Sequence, residues 1–170
     1  MGRWGTSQAI PASGSEPTKG LDLIASQQRF PALRQTVLDC SDPRALAEFY
    51  RQLLGLRYRA GDEPPVGSEP DLLGRDWLVL QDVAGAPRLA FQQVAELPRA
   101  TWPDGPHPQM LHLDLTVPTP ADLDAQHARA LALGARLLHD RSNDAKEPLR
   151  VYADVAGHPF CIFVVEAAEN

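Results

Sequence analysis

The chain has 170 residues, of which 44% are hydrophobic and 22% are charged, and its formal net charge is −6 at pH 7. This balance is typical of one globular domain, or of two half-sized units folded together. The negative charge argues against nucleic acid and anionic membrane surfaces as partners, and no apolar run approaches the roughly 20 residues of a membrane span.

The first 31 residues differ in composition from the rest of the chain. They are rich in Gly, Ser, Thr and Pro and show no period, so we predict a flexible N-terminal arm over residues 1–31. This stretch has no apolar segment of the kind found in secretory signals. The two cysteines, Cys40 and Cys161, form no C-x-x-C pair and fit a reducing compartment. We therefore expect a cytoplasmic protein with a folded domain over residues 32–166.

The first half of this domain, residues 32–97, is predicted to have the element order β-α-β-β-β. RQTVLDC (34–40) has the alternation of a strand. Asp42 followed by Pro43 is typical of a helix start, and apolar residues at helical spacing predict an amphipathic helix that ends at Gly55. Three further strands are predicted at LRYRA (56–60), DWLVLQDV (76–83) and PRLAFQQV (87–94).

The second half, residues 109–166, repeats this order. MLHLDLTV (110–117) alternates strictly, and Thr119 followed by Pro120 gives a second helix start. The strands that follow are predicted at ARLLHD (135–140), LRVYADV (149–155) and HPFCIFVV (158–165). The tetrapeptide DVAG occurs at 82–85 and again at 154–157, each time between the last two strands of its unit. The sequence therefore predicts one supersecondary unit used twice, each copy covering a face of the other.

These features resemble the vicinal oxygen chelate superfamily, which includes glyoxalase I, extradiol dioxygenases and bleomycin-resistance proteins. The resemblance rests on S-D-P…FY…LLG around the first helix and on DVAGHPF before the last strand, and it covers about residues 32–166. The stretch WPDGPHPQMLHLDL is similar to glyoxalase-like domain proteins common in actinobacteria. The resemblance implies an α+β fold in which two βαβββ repeats form a glyoxalase-like domain, with curved mixed sheets around a ligand cavity. It also implies a homodimer.

The resemblance further implies where a divalent metal would be held. In metal-binding members one ligand comes from the first and one from the last strand of each unit, which gives Gln35, a position within one residue of Ala90, His112 and Cys161 here. One imidazole and one amide are a poor set for a hard divalent ion. Asp114, two residues from His112, offers a third ligand if Zn²⁺ were held by His112 and Cys161. We expect no catalytic metal and keep a divalent ion as the alternative.

Six residues are candidates for lining the ligand cavity: Gln35, Trp102, His112, Asp114, Tyr152 and Cys161. Strand alternation is expected to turn Gln35 and His112 toward the cavity. His112 is either a core histidine hydrogen-bonded to Asp114 or an acid-base group at the floor of the cavity. Trp102, in a Pro-rich loop, either caps the edge of the core or stacks on a flat ligand.

Two functions follow as hypotheses. The first is a bleomycin-resistance-like protein that binds a small, partly apolar or aromatic molecule in the sheet cavity, without a catalytic metal. The second is a lyase, isomerase or dioxygenase relative that uses His112 with Asp114, and a metal recruited through Cys161. No serine or cysteine nucleophile motif and no phosphate-binding glycine loop is present. The shortage of metal ligands favours the first hypothesis.

Overall fold

The computed structural model describes residues 31–67 and 69–165, so nearly all of the predicted arm lies outside the described residues. Within these ranges the chain forms eight β-strands and two α-helices. They are β1 (Thr36–Cys40), α1 (Pro43–Leu54), β2 (Arg57–Tyr58), β3 (Trp77–Gln81), β4 (Pro87–Gln93), β5 (Leu113–Val117), α2 (Pro120–Ala132), β6 (Arg136–Arg141), β7 (Leu149–Ala153) and β8 (Pro159–Val164).

The strands form two mixed sheets with the same topology. Sheet one has the order β1-β4-β3-β2, and sheet two has the order β5-β8-β7-β6. In each sheet the first and last strands of the unit pair in parallel, while the other neighbours are antiparallel. Neither sheet closes on itself within the described residues. The predicted α+β fold of two βαβββ repeats is confirmed.

Both helices begin where the sequence predicts them, because the capping side chains make the expected hydrogen bonds. The Asp42 carboxylate accepts from the backbone N–H of Ala45 at 2.9 Å, and the Thr119 hydroxyl accepts from the N–H of Asp122 at 3.1 Å. Each cap is followed by a proline, which has no N–H to leave unpaired. Helix α1 ends at Leu54 and is capped by Gly55, whose φ of 67° is the left-handed conformation that glycine adopts without strain.

An aromatic cluster joins the two repeats. The rings of Phe49 and Tyr50 on α1 lie 5.9 and 6.3 Å from the ring of Phe160 on β8, centroid to centroid. Tyr50 also stacks on Phe91 of β4 at 6.1 Å. All four side chains are buried, so the first helix shares one hydrophobic core with strands of both sheets.

The repeated DVAG turns have the same backbone but different surroundings. In each turn the aspartate N–H donates to the carbonyl four residues ahead, and the glycine has a positive φ, 84° at Gly85 and 105° at Gly157. Asp82 in the first repeat forms an ion pair with Arg88 at the surface. Asp154 in the second is fully buried and accepts a hydrogen bond from the Tyr50 hydroxyl at 2.9 Å. The second copy of the turn therefore connects the two repeats.

Several strands are shorter than predicted. Strand β5 begins at Leu113 rather than at residue 110, because β8, its neighbour within the described residues, pairs with it from Phe160 onward. The predicted strand at 56–60 is reduced to two residues, and the loop after it contains one short 3₁₀ turn, Leu73–Arg75. No helix in the described part of the chain has the length and apolar character needed to span a bilayer.

Candidate functional site

Among the described residues, the helices cover one face of sheet two and leave the other uncovered. Phe160 and Ile162 of β8 and Tyr152 of β7 are buried on the covered face. Alternation places Cys161 and Val151 on the opposite side, which we call the open face of sheet two. A cavity of about 300 Å³, the sheet-two pocket, lies on the open face. It is lined by Trp102, Gln109, His112, His139, Arg141, Leu149, Val151 and Cys161.

Three polar side chains converge at the edge of this pocket. Asp114 of β5 and Cys161 of β8 are register partners on neighbouring parallel strands, and the Cys161 thiol donates to Asp114 Oδ1 at 2.6 Å. His112 Nε2 lies 3.2 Å from the same carboxylate oxygen. One potential ligand atom from each of the three lies within 4.8 Å of the others. The structure thus brings together three of the six predicted site residues.

The thiol of Cys161 is not activated as a nucleophile. Burial raises its pKa to about 12, and the hydrogen bond to the Asp114 carboxylate and the negative charge of that group act in the same direction. The thiol therefore stays protonated near neutral pH, whereas a nucleophilic cysteine needs a lowered pKa.

Trp102 forms an aromatic side of the sheet-two pocket. Its ring is half-buried and stands edge to face with His139, the centroids 6.3 Å apart. Leu149 and Val151 supply the apolar surface next to it. An aromatic wall above apolar strand residues, with a few polar groups, is the usual composition of a small-molecule site.

The other two predicted residues do not line this pocket. Tyr152 is fully buried on the helix-covered face, stacks on Phe160 at 5.1 Å and has its hydroxyl 3.0 Å from His127 Nδ1. Gln35 lies before β1 in the first repeat, half-buried, and its Oε1 is buried without a hydrogen-bond partner among the described residues. Ala90, the remaining position implied for a metal ligand, is fully buried in sheet one.

His139, Arg141 and Gln109 line the pocket but were not among the predicted site residues. A register shift in β6 explains why His139 was missed. Leu137 pairs with Tyr152, but His139 pairs with Val151, so one extra residue lies between them. Simple alternation would put His139 on the same face as Leu137, and the bulge turns it to the open face instead. The signal in the sequence that could have identified this face is the pair of polar residues at positions 139 and 141 of the strand.

A second, larger cavity of about 510 Å³ lies where the repeats meet. Its walls come from residues 37–39 of β1, from Gln92 of β4, from residues 97–100 and 107–111 between β4 and β5, and from the turn at 157–159. Three of its apolar residues are exposed: Val37 by 41%, Leu111 by 55% and Met110 completely. We refer to it as the inter-repeat cavity.

The chain is similar to a known protein family and to several solved structures. The family model described as "Glyoxalase-like domain" matches residues 35–163. No curated protein sequence matches the chain. Among solved structures, a glyoxalase/bleomycin resistance protein/dioxygenase family enzyme from Burkholderia phytofirmans PsJN aligns with a TM-score of 0.57 at 18% identity, covering 79% of this chain and 99% of that chain.

Two further structures show the same fold. A glyoxalase-related enzyme from Fulvimarina pelagi aligns with a TM-score of 0.53 at 19% identity, covering 80% of this chain and 89% of that one. The fosfomycin resistance protein FosX from Mesorhizobium loti aligns with a TM-score of 0.52 at 13% identity, covering 79% and 92%. At such identities the structures support the fold alone. The family model, which spans most of the domain, shows that the chain belongs to the glyoxalase-like domain family of the vicinal oxygen chelate superfamily.

Proposed function

We propose that this domain binds a small, partly apolar or aromatic molecule in the sheet-two pocket. The observation that carries the proposal is the lining of that pocket. Trp102, Leu149 and Val151 offer an aromatic wall and an apolar surface, while Gln109 and His112 offer hydrogen-bonding groups. A volume of about 300 Å³ is at the small end of ligand sites and fits one or two fused rings.

We propose in addition that binding does not use a catalytic metal of the kind the superfamily's metal enzymes hold between the repeats. Two of the four implied ligand positions belong to the first repeat, where Ala90 has no donor atom and is fully buried. Gln35 supplies only a neutral amide. A hard divalent ion prefers several carboxylate or imidazole ligands, so the first repeat contributes too little to hold one.

The test is a thermal-shift screen of chelator-treated protein against flat aromatic antibiotics and aromatic carboxylates, followed by calorimetric titration of the hits. A ligand raises the melting temperature by mass action. We expect Trp102→Ala to weaken binding about tenfold, since an aromatic contact contributes up to roughly 1.5 kcal/mol beyond its burial.

The matched control is Leu111→Ala, which removes an exposed apolar side chain from the inter-repeat cavity. It is expected to leave the affinity unchanged. If Leu111→Ala weakens binding and Trp102→Ala does not, the ligand occupies the other cavity and the proposal is wrong. A screen in which no compound stabilises the protein also counts against it.

One observation favours the enzymatic hypothesis as a second candidate. His112 Nε2 lies 3.2 Å from the Asp114 carboxylate beside the pocket, an arrangement that can accept and return a proton. We would incubate each ligand found by the screen with the protein and analyse it by mass spectrometry. Recovery of the unchanged ligand supports a binding protein, whereas conversion that is lost in His112→Gln supports a lyase or isomerase.

We also propose that the protein is a cytoplasmic homodimer. The two cysteines within the described residues are free, as is usual in a reducing compartment. Strands β1 and β5 are edge strands, and Met110 and Leu111 next to β5 expose apolar side chains, so a second copy has a surface to cover. Light scattering of the full chain should give twice the monomer mass, and Met110→Glu should lower it.

A further inference from the structure

His112, Asp114 and Cys161 form a group of potential metal ligands in the described part of the chain. Their donor atoms are an imidazole nitrogen, a carboxylate oxygen and a sulfur, with the sulfur 2.6 Å and the nitrogen 3.2 Å from one oxygen of the carboxylate. Cys161 is half-buried and the other two are exposed, so an ion can reach the group from solvent.

From this geometry we propose that the three side chains bind a borderline divalent ion, Zn²⁺ in particular, at a site contained entirely within the second repeat. Zinc takes four ligands drawn from cysteine, histidine and carboxylate, whereas Mg²⁺ and Ca²⁺ take oxygen almost exclusively. A cysteine in the set therefore selects against the hard ions. The proposal goes beyond the ligand-binding function, which needs no ion.

The site differs from the one that the superfamily resemblance implies. That arrangement takes a ligand from the first and last strands of both repeats, and the first repeat offers only Gln35 and Ala90. The site proposed here instead uses Asp114, which is not one of those positions, and takes all its protein ligands from β5, β8 and the residue preceding β5. Asp114 of sheet two thus supplies a ligand where the first repeat, with Gln35 and Ala90, supplies none suited to the ion.

The backbone holds these residues in place before an ion arrives. Asp114 and Cys161 are paired in register on hydrogen-bonded parallel strands, so the separation of their Cα atoms is fixed by the sheet. His112 follows the same alternation as Asp114 and points to the same side. An ion would therefore need only side-chain adjustments, and the entropy cost of assembling its ligands is small.

The carboxylate of Asp114 has lone pairs free for an ion, unlike that of Asp154. Asp154 also lies beside a histidine, 3.0 Å from His158 Nδ1, but its oxygens accept three backbone N–H groups and the Tyr50 hydroxyl. For Asp114 the contacts found within the described residues are those to Cys161 and His112. The pair of His158 and Asp154 is accordingly structural, whereas the group of His112, Asp114 and Cys161 is accessible to an ion.

Binding is a ligand exchange without oxidation or reduction. The sulfur–zinc bond forms as the thiol proton leaves to water, and the nitrogen and carboxylate replace further waters on the ion. Three protein ligands leave a fourth position, the arrangement of an open zinc site. His112 and Cys161 both line the sheet-two pocket, so a donor atom on a bound molecule can take that position.

The test uses Co²⁺ as a spectroscopic probe on the chelator-treated full-length chain. A cobalt–thiolate bond gives charge-transfer absorption in the near ultraviolet, which we expect for the wild type and not for Cys161→Ser. His112→Gln and Asp114→Asn should each weaken Co²⁺ and Zn²⁺ binding by at least about tenfold in a competitive chelator titration. The altered side chains are on the open face, and circular dichroism checks that each variant is folded.

His139→Gln is the matched control, because His139 lines the same pocket but does not belong to the ligand group. It should bind both ions as the wild type does. The proposal is overturned if the wild type binds no Co²⁺, if it binds without charge-transfer absorption, or if Cys161→Ser binds equally well. None of these results bears on ligand binding, which is measured on metal-free protein.

Discussion

The hydrogen bond between Tyr50 and Asp154 provides a direct test of how the two repeats are held together. These residues are 104 positions apart in the chain, and the phenol hydroxyl donates to Asp154 Oδ2 at 2.9 Å in a buried environment. Tyr50→Phe removes only this hydroxyl, and the ring keeps its contacts with Phe91 and Phe160. The variant therefore isolates the hydrogen bond from the packing.

The expected magnitude follows from the partners that remain. Asp154 Oδ1 keeps three backbone N–H donors, whereas within the described part of the chain Oδ2 keeps the contact with His158 Nδ1 at 3.0 Å and no other. A buried hydrogen bond to a charged group contributes about 1.5–3 kcal/mol, so Tyr50→Phe should lower the free energy of unfolding by about 2 kcal/mol. For a chain of this size the melting temperature should fall by roughly 4–8 °C.

The measurement is urea denaturation followed by circular dichroism, with Tyr58→Phe as the control. The Tyr58 hydroxyl donates to Glu48 at 3.2 Å in a half-buried position within the first repeat, so the control should lose less than about 0.5 kcal/mol. Equal losses in the two variants would refute the reasoning. A lower denaturant slope in Tyr50→Phe alone would instead show that the repeats unfold separately.

Two further predictions concern a turn and a charged strand residue. Gly157→Ala should lower the melting temperature more than Gly85→Ala does. Both glycines have a positive φ, but of the two only position 157 would place the new methyl carbon too close to a side chain, 2.7 Å from Arg99 Cγ. Equal decreases in the two variants would contradict this. Hydrogen bonds from Ser142 lower the pKa of Asp140 to about 2, and the hydrogen bond and positive charge of Arg150 add to this effect. The ionised carboxylate therefore stabilises the fold fully above pH 4, and this stabilisation is lost as the pH falls toward 2. Asp140→Asn should therefore unfold more easily than wild type by about 1 kcal/mol at pH 6, after allowance for solvent screening, and a difference that persists unchanged at pH 2.5 would count against the assignment.

The sequence predicted the order of the elements because their local signals were strong. A capping residue followed by proline identifies a helix start from three or four adjacent residues, and both helices begin at such a pair, Pro43 and Pro120. The duplicated DVAG turn identified the repeat in the same way. Strand lengths were less predictable, since a strand ends where its partner ends, and the partner is remote in sequence.

The lining of the site depends on information that a single strand does not contain. Alternation showed that Tyr152 and Val151 face opposite sides of β7, but not which side the helices cover. The contact between Asp114 and Cys161 depends on the register of two strands 47 residues apart. The face of His139 depends on a bulge whose position local sequence does not reveal.

The two repeats contribute differently to this molecule, and the difference can be measured. The group of His112, Asp114 and Cys161 and most of the lining of the sheet-two pocket come from the second repeat. The first repeat contributes Tyr50, which stabilises the second repeat through its hydrogen bond to Asp154. Tyr50 and Asp154 are on the buried side of the fold, away from the open face. Tyr50→Phe should therefore lower the melting temperature. Its affinity for Co²⁺, measured at a temperature well below the melting transition, should equal that of the wild type. A parallel loss of stability and affinity would show that the first repeat also shapes the site.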